Sequence, residues 1–375
     1  MTQVNRILIV GAGPAGLALA LALGRQGQVP EIIDRAPDWP MGGAGLYLVG
    51  NGTRALRALG LAEAVVRAGQ IIRTQTFCDS RGAALAKVDV AAYWNACGPC
   101  LGLRRADLLR LMAEQLRGLP VRWNMTVTAL QPMDGEVAVQ YSDGTAGAYD
   151  LVVGADGIRS SIRRLLIGDV PPRYRRQIAW RFIAPRPDGV DGWTVFLGQR
   201  SAFLLVPVDA THAYCYADLG WDEPTVSGRD ATPERLQALY RTYAAPVQQV
   251  LHSLSDREVI AGLPIEDVVP QHWGRGRVVL IGDAAHAMSP NMASGAALAF
   301  EDALVLAELL AQGVPAGELA ARLASRRGPR TAWVGQQTER RDRTRELPPL
   351  MRNVVLRLLG TRMYHRNYRP LLELP

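Results

Sequence analysis

Two segments far apart in the chain carry residue types that hold phosphate. Gly11-Ala12-Gly13-Pro14-Ala15-Gly16 follows the apolar run Ile7-Leu8-Ile9-Val10, and Gly282-Asp283-Ala284-Ala285-His286-Ala287-Met288-Ser289-Pro290 follows Val278-Val279-Leu280-Ile281. In the first, Gly11 permits a tight turn, Gly13 lets backbone approach a pyrophosphate, and Gly16 lets a helix pack against the strand. The helix beginning there offers free N–H groups and a positive dipole end to anions. Asp34 ends the next predicted strand about 20 residues on, where a carboxylate can bind ribose hydroxyls; Ala15 and Arg35 complete this cofactor-binding set. The first motif alone does not separate FAD from NAD. Both motifs, with Asp156-Gly157 between them, point to one long cofactor, FAD.

Other reactive residue types are weaker signals. Cys97-Gly98-Pro99-Cys100 spells a redox CxxC, but such a pair should open a helix, where the dipole lowers the thiol pKa. Here it leads into Leu101-Gly102-Leu103, so two loop cysteines are expected. His286 invites a general-base role, yet its motif favours a structural histidine. His212, His252, His272 and His365 lack metal-ligand spacing, and no metal is expected. Arg181 lies in Ile178-Ala179-Trp180-Arg181-Phe182. Side chains alternate along a strand, so Trp180 and Arg181 face opposite sides. A buried guanidinium must be paired. Arg181 therefore either faces a cleft, sits on a solvated sheet face, or bridges to an acid between domains.

The elements that must position these residues follow from periodicity. Residues 6–34 read as a βαβ unit with its helix at about 14–25. A glycine-rich loop from Gly43 precedes a helix from Asn51. Another helix runs from Arg105 to Arg117. Residues 121–153 alternate as strands, with Asp134-Gly135 and Asp143-Gly144 as hairpin turns. Short alternating runs at 177–183, 193–197, 202–206 and 213–218 predict an antiparallel sheet. Helices follow near 232–243 and 246–253, and the chain is mainly helical after Pro290. The expected division is 1–172 for the first part of a nucleotide domain, lending strands near 72–103 to the substrate domain; 173–270 for a sheet-based substrate domain; and 271–375 for the return and C-terminal helices. Arg340-Arg341-Asp342-Arg343 reads as a solvated helix face. Val354-Val355-Leu356-Arg357-Leu358-Leu359 could pack internally, dimerise or touch a membrane; internal packing is expected, with the chain a monomer or homodimer.

Composition sets the bounds. The 375 residues are 48% hydrophobic and 21% charged, with a net charge of +7. That charge is almost all arginine, Lys87 being the single lysine, and it is scattered. A GC-rich genome accounts for it better than phosphate contacts, so no nucleic-acid partner is expected. No apolar run approaches the ~20 residues that span a bilayer, and no signal pattern precedes the first strand. Four cysteines suit a reducing compartment. A cytoplasmic protein without membrane contact is expected.

Motif for motif, the chain resembles the class A flavoprotein monooxygenases, the para-hydroxybenzoate and salicylate hydroxylase family. The resemblance covers most of the chain in order: the first glycine motif with Asp34; Gly43-Ala44-Gly45-Leu46, then Asn51 through Leu59-Gly60-Leu61; Arg105-Ala106-Asp107-Leu108; Asp156-Gly157 with Ser160 and Arg163; and Gly282 to Pro290 with Gly295 and Glu301-Asp302. It implies an α/β fold: a Rossmann-like, glutathione reductase-type FAD domain, an inserted mainly antiparallel substrate sheet and a helical C-terminus. It implies tight, non-covalent FAD, transient NADH or NADPH, dioxygen, and oxygen transfer from a flavin C4a-hydroperoxide to a small aromatic or heteroaromatic ring. An FAD-dependent dehydrogenase or reductase, or a halogenase-like enzyme, is the alternative on the same fold. Implied roles are a ribityl contact for Asp283, a wall beside the ring for Pro290, and backbone N–H groups near Gly295 and Ala296 facing the pyrimidine carbonyl. Arg105 would reach the phosphates, Gly45 and Leu46 the pyrimidine edge, and Asp156 would support FAD. The family's similar Trp-Arg strand suggests that Arg181 faces the cleft and holds a phenolate or carboxylate. Two departures stand out: Ala293 and Ala297 replace the glycine and asparagine usual after the motif proline.

Overall fold

A computed structural model describes residues 4–39, 44–116, 118–224, 232–255, 261–269 and 271–375. Gly43 and Arg117, which bound two expected elements, lie outside them. The three motifs converge because the strands before them are neighbours. Ile7–Val10 pairs in parallel with Leu151–Gly154, which pairs in parallel with Val278–Leu280, so Val10, Gly154 and Leu280 end in register. Glu31–Ile33 and Val121–Arg122 extend this six-stranded sheet on one side, and Gly274–Arg275 closes the other edge. The core strands are buried along their whole length, as parallel strands covered on both faces must be. Pro14–Gly24 is almost all alanine and leucine. It starts directly after the turn and is buried from Ala15 to Leu23.

The hairpin expectation holds: Val127–Pro132, Val137–Tyr141 and Ala146–Tyr149 form an antiparallel sheet, with Gly135 and Gly144 at positive φ in its turns. The glycine-rich loop contains a strand that sequence did not reveal. Gly45–Leu48 pairs antiparallel with Cys100–Arg104, which leaves room for helix Gly50–Ala58 behind it. The helix begun at Arg105 ends at Gln115.

The second large sheet has seven strands. Arg173–Pro185, Trp193–Leu197, Ser201–Pro207 and His212–Gly220 are the four expected strands, each longer or equal. Ala261–Asp267 joins one edge, and Thr74–Asp79 with Ala84–Asp89 forms the other. The pairing of Trp193–Leu197 with Thr74–Asp79 is parallel. Alternation sorts the faces of Arg173–Pro185. Ile178, Trp180 and Phe182 are buried against helices Pro233–Tyr240 and Ala245–Ser253, whereas Ala179 and Ile183 belong to the opposite, cleft-side cluster.

After Pro290 the chain is helical as expected: Gly295–Ala311, Leu319–Arg345 and Pro349–Tyr368. A buried polar network bolts the first of these in place. Asp302 accepts from Gly282 N–H at 3.0 Å and Arg327 Nε at 2.8 Å, and stands 2.6 Å from His286 Nε2. Glu301 accepts from Asn51 and Arg330 and pairs with Arg327. Two expectations fail here. Arg340 and Arg343 are exposed, but Arg341 and Asp342 are not on a solvated face: Arg341 donates to the Asn291 carbonyl, and Asp342 pairs with Arg175 and Asn291. The C-terminal apolar stretch does not pack internally either. Val354 is 53% exposed and Leu358 73%, because the helix buries Gly360, Tyr364, Asn367 and Tyr368 instead.

Candidate active site

Two cavities open at the carboxyl ends of the parallel strands, where α/β sheets bind ligands. The first, about 730 Å³, is lined by Gly11, Gly13, Ala15, Asp34, Arg35 and Asp156 among others. The second, about 760 Å³, lies between the two large sheets and reaches the C-terminal helices. Arg105, Arg159, Asp283, Gly295 and Ala296 line both, so the cavities meet at these five residues.

The glycines divide their work as spacing suggests. Gly11 has φ +114, and a Cβ there would stand 2.4 Å from the Ala155 carbonyl. A Cβ on Gly16 would stand 1.9 Å from the Gly11 carbonyl, so this position serves packing and does not line either cavity. A Cβ on Gly13 would meet nothing within 4 Å: the backbone there is open to a ligand. No side chain caps the first turn of Pro14–Gly24 or of Gly295–Ala311, so both helices present free N–H groups and a positive dipole end. This open cradle suits a pyrophosphate at one end and an electron-accepting carbonyl at the other, which are the two groups FAD would place there.

Asp34 lines the first cavity and also accepts from Ala12 N–H at 2.7 Å and Ala36 N–H at 2.8 Å, bracing the glycine turn. Asp156 is similarly occupied. Its carboxylate accepts from the Ser160 hydroxyl and from the Ser161 N–H and hydroxyl, which fixes the start of Ser161–Ile167. Asp283 opens onto both cavities. Desolvation raises its carboxyl pKa, while His286 and Arg105 oppose that shift. Arg105 is drawn down by desolvation and held up by Asp283. Asp283 and Arg105 thus form a loosely coupled pair of charges at the junction.

The second cavity has an aromatic wall that sequence reasoning did not single out. Tyr47, Phe77, Trp193, Tyr214 and Tyr216 line it. Their signal was present: Tyr214 and Tyr216 sit two apart on one strand, the spacing of a shared face. Burial pushes all three of these tyrosine phenols up, so they stay neutral donors. Gly45, Leu46, Pro290 and Arg181 line the same cavity. Arg181 stands opposite Tyr216 across the sheet, its guanidinium 5.4 Å from the ring centroid. No carboxylate lies within ion-pair distance of it among the described residues. Of the other cleft carboxylates, Asp218 pairs with Arg345 and Glu266 with Arg159, while Asp283 faces Arg105 at the junction. His286 lines neither cavity, being buried against Asp302 and Trp273. Cys97 and Cys100 are free, buried thiols, and burial pushes Cys100 up to about 12.

Known proteins agree with this architecture. A family model described as an FAD binding domain matches residues 4–342. The aurachin C monooxygenase/isomerase of Stigmatella aurantiaca is 33% identical over 308 residues, covering 81% of this chain and 80% of the relative. The 3-amino-4-hydroxybenzoate 2-monooxygenase PtnB3 of Streptomyces platensis is 32% identical over 374 residues, covering 92% and 90%. The structure of Klebsiella pneumoniae HpxO complexed with FAD and uric acid superposes with a TM-score of 0.91 over 99% of this chain and 97% of that one, at 24% identity, a likeness of fold. Among the described residues no helix is long and apolar enough to cross a membrane. With an open dinucleotide cradle running into an aromatic cavity, and with relatives that share nearly its whole length, the chain belongs to the FAD-binding family of flavoprotein monooxygenases, oxidoreductases that use NAD(P)H and dioxygen.

Proposed function

We propose that the substrate is a small aromatic or heteroaromatic ring carrying a phenolate or carboxylate, and that Arg181 holds this anion beside the flavin. The observation that carries the proposal is Arg181 itself: a guanidinium on the cavity wall, against Tyr216, with no carboxylate in ion-pair distance among the described residues. Bound FAD would supply the redox chemistry, taking a hydride from NADH or NADPH and activating dioxygen so that one oxygen atom enters the ring and the other leaves as water.

The chain's own residues do the rest. The N–H groups of Gly13 and Pro14–Gly24 would take the pyrophosphate with Arg105, and Asp34 and Arg35 the adenosine end. Asp283 would accept hydrogen bonds from ribityl hydroxyls. Gly295 and Ala296, at the positive end of Gly295–Ala311, would stabilise negative charge on the pyrimidine carbonyl. Gly45 and Leu46 would border the ring's edge, and Pro290 its face. Phe77, Trp193 and Leu204 line the cavity with apolar surface, which would exclude water once substrate is bound. Of the three described cleft carboxylates, Asp218 and Glu266 are paired and Asp283 is the one given to the ribityl hydroxyls, which leaves none of them for substrate deprotonation. Substrate ionisation therefore falls to the substrate's own acidity, favoured by Arg181. In this division residues 1–172 and the return from 271 serve FAD and 173–270 serve the substrate, joined by the two strands that 74–89 lends to the seven-stranded sheet and by the C-terminal helices that line the second cavity.

The test is a screen of phenols and aromatic acids for stimulated NAD(P)H oxidation by the FAD-loaded protein, under isotopically labelled dioxygen. Label in the product supports monooxygenation of an anionic ring. NAD(P)H oxidation with no label in any product would favour a reductase. Turnover only of uncharged rings would remove the role given to Arg181.

A further inference from the structure

The helix Pro349–Tyr368 has two faces with different partners. Its inner face lines the cleft through Leu356, Gly360, Met363 and Tyr364. Its outer face covers no other element among the described residues. Leu350, Val354 and Leu358 follow one another at intervals of four, with Met351 and Leu359 beside them, and Val355 sits at the border where it also lines the cleft. Leu350 is 83% exposed and Leu359 43%. Single exposed apolar residues are ordinary, but a contiguous set of this kind marks an interaction surface.

Charge decides between occupants. The helix holds no acidic residue, whereas Arg357, Arg362 and Arg366 are all exposed on it. Thr361 donates to the carbonyl of Lys87 on the neighbouring strand, which brings the only lysine to the same end. Asp89 on that strand is engaged as the cap of the next short helix. A second copy related by a two-fold axis would set the basic end of each helix beside the apolar start of the other, where this helix offers the arginines no acid. An anionic surface offers them negative charge. Arg357 borders the exposed leucines and Arg362 and Arg366 follow them, so apolar side chains are flanked by arginines, as on a helix that lies in a headgroup layer without crossing it.

We propose that Pro349–Tyr368 docks the enzyme on an anionic phospholipid surface, its apolar rows entering the headgroup boundary and Arg357, Arg362 and Arg366 contacting lipid phosphates. The cleft wall formed by the same helix then lies next to the bilayer. This docking stands independently of the substrate proposed above.

The experiment is co-sedimentation of the full, FAD-loaded chain with phosphatidylcholine vesicles, alone or with about one third phosphatidylglycerol, at low and high salt. The expected result is sedimentation with the anionic vesicles only, weakened by salt. Leu350→Ser with Leu358→Ser should abolish it, and Arg357→Gln or Arg362→Gln should each weaken partitioning roughly fivefold. FAD absorbance and the melting curve show that the variants remain folded. Failure of the folded protein to sediment with either vesicle overturns the proposal. So does sedimentation that the leucine substitutions leave unchanged, or a dimer in ultracentrifugation that those substitutions dissolve.

Discussion

The Arg163 guanidinium donates to the carbonyl of Ala284 at 2.8 Å, and a second arm reaches the carbonyl of Ile158. Ala284 lies within the second phosphate motif and Ile158 just after Asp156-Gly157, so one buried side chain ties two motifs that are separated by more than a hundred positions. Desolvation lowers the Arg163 pKa, and Asp156 opposes this. Arg163→Ala leaves two carbonyls without this donor in a buried setting. The expected cost is about 1–3 kcal/mol in stability, together with weaker FAD binding. Arg163→Lys should recover only part, since an ammonium lacks the fork that spans both oxygens. Denaturant titration and FAD release on dilution check both variants.

Gly13 and Gly16 should separate folding from binding. Gly16→Ala places a methyl group 1.9 Å from a backbone oxygen, so the turn must shift. Its thermal midpoint should fall even without FAD. Gly13→Ala meets no protein atom within 4 Å and should melt like the parent while losing FAD affinity. Equal melting losses in the two apoproteins would contradict this division.

Arg181→Met removes the charge at similar length. If the guanidinium holds the substrate anion, a charge-assisted contact worth about 1.5–3 kcal/mol is lost. That corresponds to a roughly ten- to hundredfold fall in kcat/KM, with FAD content unchanged. In the parent enzyme kcat/KM should rise with pH through the ionisation of the substrate, and a substrate with a lower pKa should shift that rise to lower pH. A profile independent of the substrate used would point to an enzyme group instead.

Ala293 adopts φ +47, a left-handed conformation that favours glycine. That geometry costs an L-residue about 1–2 kcal/mol, partly offset by the greater unfolded-state freedom of glycine. Ala293→Gly should therefore stabilise the fold by about 0.5–1 kcal/mol, read as a higher melting temperature. A drop would show that the alanine methyl makes contacts in the cleft that outweigh the strain.

Cys97 and Cys100 should be silent. Burial pushes the Cys100 thiol up to about 12 and raises Cys97 as well, so neither forms thiolate near neutral pH. Iodoacetamide should label neither in the native protein and both after unfolding. The Cys97→Ser, Cys100→Ser double variant should keep its turnover per bound FAD.

Much of this was legible because it depends on local pattern. The order of strand, glycine turn and helix at 7–24 shows in the sequence, as does the period-two alternation that puts Trp180 and Arg181 on opposite faces, though not which of the two meets the cleft. Residues whose environment is set by distant packing were not legible. Arg341 and Arg345 look like any basic helix positions until Leu319–Arg345 docks over the second sheet. The strand Gly45–Leu48 is hidden by glycines of low strand propensity and exists because Cys100–Arg104 offers an edge. Val354 and Leu358 have the composition of a core helix, and composition cannot report that the opposite face was chosen for burial.

The parallel pairing of Trp193–Leu197 with Thr74–Asp79 has a cost in time. Both large sheets draw strands from distant stretches: one needs Val278–Leu280 beside Leu151–Gly154, the other needs Ala261–Asp267 and the early hairpin. During synthesis the first strands leave the ribosome long before their neighbours exist: the seven-stranded sheet cannot be completed before Asp267 is made, nor the six-stranded one before Leu280. Such long-range pairing slows folding and leaves strand edges open to wrong partners meanwhile. Overproduction should thus yield aggregates that form during translation, while completed chains stay dispersed, and slower synthesis or chaperone supply should raise the yield more than any single stabilising substitution.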